Sequence, residues 1–184
     1  MRLLSTIKVL LPAPLIALAA CEAAPMAPVD VSQSVGYNQT LKTNLHLVER
    51  TSWADGAAVS VVVTPSGGVV QVEQHQLVVP KSAVVHPTVF TMSLQYGKNL
   101  IIDLHAVDKT TGEEVDTFRV PLRLELSYAA LQVSEDELRD LTVVWLQDDS
   151  ADGALVPVRT TVNRNTQYVT GWLTHFSAYA MGMN

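Results

Sequence analysis

From Asn38 onward the chain runs in short stretches rich in β-branched residues with turn-forming residues between them, and this rhythm restricts the fold more than any other feature. A strand points alternate side chains to opposite faces, so a series of short, half-apolar strands must bury one face of each against a second layer. The stretches are Ala57 to Val63, Val69 to Val79 with a break near His75, Thr88 to Leu94, Leu100 to Val107, Glu114 to Ser127, Leu141 to Leu146, Ala154 to Val162, Gln167 to Leu173 and Phe176 to Met181. Residues 64–68, Thr-Pro-Ser-Gly-Gly, read as a hairpin turn, and Asp108 to Gly112 read as a second one that makes its flanking strands neighbours. Ser134 and Glu137 match a capping box, which predicts one short crossover helix over Glu135 to Asp140. The expected fold class is all-β, a single antiparallel β-sandwich with that one helix.

The chain has a single cysteine, so no intramolecular disulfide can staple such a sandwich and packing must hold it. That cysteine, Cys21, closes a segment with Arg2 and Lys8 and no acid, an apolar run from Val9 to Leu18, and the small pair Ala19-Ala20. The run is short for a bilayer, and Pro12 and Pro14 each remove a backbone donor that lipid cannot replace, which argues against a retained transmembrane helix. Leu18-Ala19-Ala20-Cys21 resembles the bacterial lipobox; the other reading is ordinary secretion with an incidental cysteine. The resemblance implies a lipoprotein: cleavage before Cys21, diacylglycerol on its thiol, and further acylation of the palmitate type. Each buried methylene contributes about 0.8 kcal/mol, so the lipid alone would hold the protein at a membrane. The expected organisation is a signal peptide over residues 1–20, a lipid-anchored flexible tether over 21–36, and one domain over 37–184. Glu22 follows the cysteine where an aspartate retains some enterobacterial lipoproteins inside, so in a host with two membranes the outer one is the expected address.

The whole chain has a formal net charge of −6, and the part beyond the export segment is more acidic still because Arg2 and Lys8 leave with the signal. With no cluster of Lys or Arg along it, nucleic acid is not an expected partner. The expected partners are the membrane, through the lipid on Cys21, and a protein of the cell envelope.

The segment Gly67 to Leu94, GGVVQVEQHQLVVPKSAVVHPTVFTMSL, resembles the opening of ZU5 domains, the matching residues being Gly67, Gly68, Val79, Pro80, Ala83 and Leu94. Members of that family usually carry glycine where Ser82 stands, and another within the region of Gln74-His75-Gln76. The segment from Leu141 to Ala180 resembles closing strands that follow such domains in bacterial envelope proteins, its most distinctive residues being His175-Phe176-Ser177 and Tyr179. The resemblance implies a ZU5-like β-sandwich, protein–protein association or scaffolding, and no cofactor.

The same triplet carries the sharpest chemical possibility, because self-cleaving relatives cut between an apolar residue and serine in His-Phe-Ser. By that resemblance His175 would deprotonate Ser177, whose Oγ would attack the Phe176 carbonyl in an N-to-O acyl shift, and water would then hydrolyse the resulting ester. The plainer reading ends a turn at His175 and sets Phe176 and Ala178 on one face of a last strand, Ser177 and Tyr179 on the other. No G-x-S-x-G elbow supports a hydrolase, and the expected function is non-catalytic. Asp148, Ser150 and Asp152 echo the start of a calcium loop whose twelfth position is Arg159, which cannot replace a bidentate carboxylate. Glu73 and His75 share a strand face by period-two spacing, enough for two zinc ligands at most. Trp53, Trp145 and Trp172 would form a glycan-binding platform only if folding gathered them on one exposed face. Asn38-Gln39-Thr40 matches a glycosylation acceptor and is read as a polar loop.

Overall fold

A computed structural model describes residues 44–147, 151 and 153–184, apart from the side chain of Trp53. Cys21, the export segment, the tether, Asn38-Gln39-Thr40 and the calcium-loop residues Asp148, Ser150 and Asp152 lie outside the described residues. The strands are β1 (His46–Leu47), β2 (Glu49–Ala54), β3 (Ala57–Val63), β4 (Gly68–Val72), β5 (His75–Val79), β6 (Thr88–Leu94), β7 (Gly97–Asn99), β8 (Ile101–Asp108), β9 (Thr117–Ser127), β10 (Leu141–Leu146), β11 (Leu155–Pro157), β12 (Thr160–Asn163), β13 (Tyr168–His175) and β14 (Ala178–Met183).

Among the described residues they form three antiparallel sheets in a sandwich-like arrangement: β11-β10-β14-β8-β6-β3 with β1 beside β14, β12-β13-β9-β5-β4, and the small pair β2-β7. Alternation sets the core. Phe90, Met92 and Leu94 of β6 and Ile102, Leu104 and Ala106 of β8 meet Leu77 of β5 and Leu122, Leu124 and Leu126 of β9 in one buried cluster. The two larger sheets approach closely where Gly171 of β13 faces Val143 of β10, whose side chain lies only 2.9 Å from where a Cβ on the glycine would stand. Residues of β8, β10 and β14 that face away from this core, Ile101, Val144, Leu146, Ala178 and Ala180, form a second small cluster with Leu45, Leu47 and Leu155.

Several sequence expectations need correction. The break within Val69 to Val79 falls just before His75, as expected, but it is a full reversal through the two-residue turn Glu73-Gln74 with Val72 opposite His75. Both expected hairpin turns form, but their strands part. β3 pairs with β6 while β4 pairs with β5 in the other sheet, and only Thr64 and Gly67 bridge across the turn. β8 and β9 likewise lie in different sheets: β8 is already flanked by β6 and β14, so the returning chain makes one bridge, Val107 to Glu114, and crosses over. Asp108 builds that turn, accepting hydrogen bonds from the Thr110 and Thr111 amides and from His86. Ala154 to Val162 also divides, between β11 and β12 of opposite sheets.

The capping box at Ser134 and Glu137 makes its reciprocal bonds, the Glu137 carboxylate accepting from the Ser134 amide at 2.8 Å and the Ser134 hydroxyl accepting from the Glu137 amide at 3.4 Å. In place of a helix over Glu135 to Asp140 the chain makes a single 3-10 turn, Glu137–Arg139, on the connection from β9 to β10. Leu138 alone is buried there, too little apolar surface to sustain further turns.

The turns at residues 64–68 and 80–83 stack on each other. Gly67 adopts φ +86°, and a Cβ there would lie 2.6 Å from the Val79 carbonyl oxygen and 2.9 Å from the Lys81 nitrogen. The Ser82 amide donates to the Pro65 carbonyl at 2.8 Å. Ser82 itself takes φ +67°, the left-handed region that glycine enters most easily.

Candidate functional site

The described tryptophans are not gathered. Trp145 belongs to the seven-stranded sheet and Trp172 to the five-stranded sheet, both half-buried, with the Arg159 guanidinium 5.0 Å from the centre of the Trp172 ring. Among the described residues no group of three or more His, Cys, Asp or Glu could hold a metal ion, and no helix is long and apolar enough to cross a membrane.

His175, Phe176 and Ser177 lie where the chain passes from β13 in one sheet to β14 in the other. Phe176 turns into the core, its ring 4.6 Å from that of Phe118 and 5.6 Å from that of Phe90, so it joins the two sheets. The plainer sequence reading sets Phe176 and Ala178 on one face; they belong to opposite clusters because the chain turns between them. The Ser177 hydroxyl accepts a hydrogen bond from Trp145 Nε1 at 2.9 Å. The His175 ring stands edge-on to Trp145, with Nδ1 3.3 Å from the Tyr179 hydroxyl. That hydroxyl donates to the His175 carbonyl at 2.8 Å, a tyrosine pinning the backbone at a corner between sheets. Burial pushes the Tyr179 phenol far above the ordinary tyrosine range, so it remains a neutral donor. Each distinctive residue of the triplet region thus has a packing or hydrogen-bonding task. Ser177 also lines an open groove of about 470 Å³ with Asp103, Glu114 and Asp116.

The more unusual constellation surrounds His75. Glu73 and His75 do not share a strand face: Glu73 sits in the turn at φ +49°, while His75 begins β5 and points inward with 4 % exposure. A side chain from far along the chain joins them. Arg50 of β2 places Nη2 3.3 Å from Glu73 Oε2 and 3.2 Å from His75 Nε2. On the other side of the ring, the Ser127 amide donates to His75 Nδ1 at 3.1 Å. Burial first, and the Arg50 charge second, lower the His75 pKa from 6.5 to about 4, so the imidazole is neutral at physiological pH. These residues open onto a partly enclosed cavity of about 120 Å³ whose apolar walls include Leu100 and Leu131. Glu73 occupies a left-handed turn position that costs a non-glycine residue about 1 kcal/mol or more. Sequence reasoning singled out His75 but missed Arg50, which belongs to no motif and arrives on a short irregular strand.

A further feature is an edge. β3 pairs on one side with β6 and has no second strand partner among the described residues. It is seven residues long, Ala-Ala-Val-Ser-Val-Val-Val, without charge, proline or glycine. Its core-facing Val59 and Val61 are only partly buried, while Ala58, Ser60 and Val62 are exposed. No family model matches the chain, and no curated protein does.

Proposed function

We propose that this chain is a non-catalytic lipoprotein of the bacterial cell envelope, anchored through Cys21, whose ZU5-like β domain binds another protein in a scaffolding role. The open edge of β3 carries the reading. Edge strands expose unpaired N–H and C=O groups, and proteins that must stay apart guard them with charge, proline or short length. The other edges of the two larger sheets fit that pattern better: β11 has three residues and ends in Pro157, β12 has four, and β4 has five and begins at Gly68. β3 is the longest edge strand among the described residues and has none of these guards. Strand addition by a partner would supply backbone hydrogen bonds and use Ala58, Ser60 and Val62 for selectivity. The resemblance of Leu18-Ala19-Ala20-Cys21 to a lipobox and the acidic composition agree with a tethered binding module.

Photo-crosslinking in the native envelope tests this. A photoreactive side chain at Ser60 is expected to give a protein adduct, and one at Thr161 on the edge strand β12 of the other sheet is not. Ala58→Lys with Val62→Lys is expected to lower the Ser60 adduct yield more than tenfold, since edge lysines resist strand addition. Adducts from Thr161 and none from Ser60 would overturn the β3 reading.

A further inference from the structure

The His75 constellation contains a donor conflict that a ligand would resolve. The Ser127 amide can only donate, so His75 Nδ1 must be the bare, accepting nitrogen. A neutral imidazole then carries its proton on Nε2, and that N–H faces the Arg50 guanidinium at 3.2 Å, one donor against another. Both groups border the same cavity, and His75 is buried to 4 % exposure. No atom fits between nitrogens 3.2 Å apart, so an acceptor with two oxygens would satisfy both as the Arg50 guanidinium draws back from the ring.

We propose that this cavity is a carboxylate-binding pocket, in which Arg50 and His75 Nε2–H hold the two oxygens of a chain-terminal carboxylate presented by a partner polypeptide. A carboxylate fits the charge. One guanidinium is balanced by one negative charge, and a planar pair of oxygens matches the planar donors of arginine, whereas a phosphate dianion would face Glu73 with only one cation to hold it. The volume fits as well: about 120 Å³ is the share of some four waters, room for a carboxylate and a small side chain against Leu100 and Leu131. The protein already shows the chemistry internally, since the Glu73 carboxylate contacts Arg50 from a side chain that is 46 % exposed and can swing away. Glu73 acts as a built-in competitor. The polypeptide source of the ligand rests on the protein-binding function proposed above; the carboxylate chemistry does not.

Titrations followed by ¹⁵N NMR of the Arg50 Nε and His75 ring signals at pH 7 test this, with acetate, acetamide, N-acetyl-Ala-Ala and its amide as probes. Acetate and N-acetyl-Ala-Ala are expected to give saturable shifts and the two amides none, with the peptide acid binding at least tenfold tighter than acetate. Arg50→Gln is expected to abolish the shifts. Glu73→Gln, at an exposed turn that leaves the fold intact, is expected to tighten binding about threefold to tenfold by removing the competitor. Equal affinity for acetate and the peptide acid would overturn the polypeptide source in favour of a small free acid. Absence of saturable shifts in both the wild type and Glu73→Gln would overturn the pocket itself, while the Ser60 crosslink would still report on the β3 edge independently.

Discussion

Acidification is expected to destabilise the domain by on the order of 3 kcal/mol between pH 6.5 and pH 4 through His75 alone. In the unfolded chain this histidine takes its proton near pH 6.5, whereas in the fold burial and the Arg50 charge delay protonation to about pH 4. The folded pKa is the depressed one, so the unfolded state binds more protons throughout this window. Stability is therefore complete above pH 6.5 and is lost as pH falls towards 4. Urea unfolding at half-unit pH steps measures it. His75→Asn, whose side-chain oxygen can still accept from the Ser127 amide, is expected to start less stable and show a flat profile from pH 6.5 to 4.5. The carboxylates of Asp108 and Glu137, both lowered by hydrogen bonds, begin to lose their contributions as pH falls past their ordinary values of 3.8 and 4.5. A wild-type profile as flat as that of the variant would show that His75 is not held neutral by the fold.

Gly67→Ala is expected to cost about 3 kcal/mol or more, lowering the melting temperature by roughly 10 °C for a domain of this size. Two effects add. An alanine at φ +86° pays the left-handed penalty, and its Cβ would overlap the Val79 carbonyl oxygen at 2.6 Å, so one of the two stacked turns must move. Gly112→Ala separates the effects, because Gly112 has φ +76° but no atom within 4 Å of a new Cβ. That variant is expected to lose only about 1–2 kcal/mol. Equal losses at the two glycines, read by calorimetry, would mean that turn stacking contributes nothing beyond backbone strain.

The strands are more legible in the sequence than their partners. β6 begins and ends where the alternation does, at Thr88 and Leu94, and β10 spans the nearly continuous apolar run from Leu141 to Leu146. Sheet membership is not legible, because Gly67 and Gly112 fix a reversal of direction but not what the chain pairs with afterwards. Adjacent strands in sequence separate here into opposite sheets after both turns. The β4–β5 turn is hidden for a different reason: its positive-φ position is filled by Glu73, not by the glycine or asparagine that usually signals such a turn. The same residue explains the misread site. Period-two spacing puts Glu73 and His75 on one face, whereas the turn between strands carries Glu73 to Arg50, 23 positions earlier in the chain. The triplet at 175–177 is visible as distinctive, but its bonds to Trp145 and Tyr179 depend on strand pairing that no local pattern encodes.

The most direct test of the tethered-module proposal is a denaturing intact mass of the protein extracted from its native membrane. The expected result is a chain beginning at an acylated Cys21 and retaining Ser177 to Asn184, which supports lipid anchoring and an uncut His175-Phe176-Ser177 segment together. An unmodified Cys21 would contradict the anchor. Loss of Ser177 to Asn184, restored to full mass by Ser177→Ala, would replace the non-catalytic reading with self-cleavage.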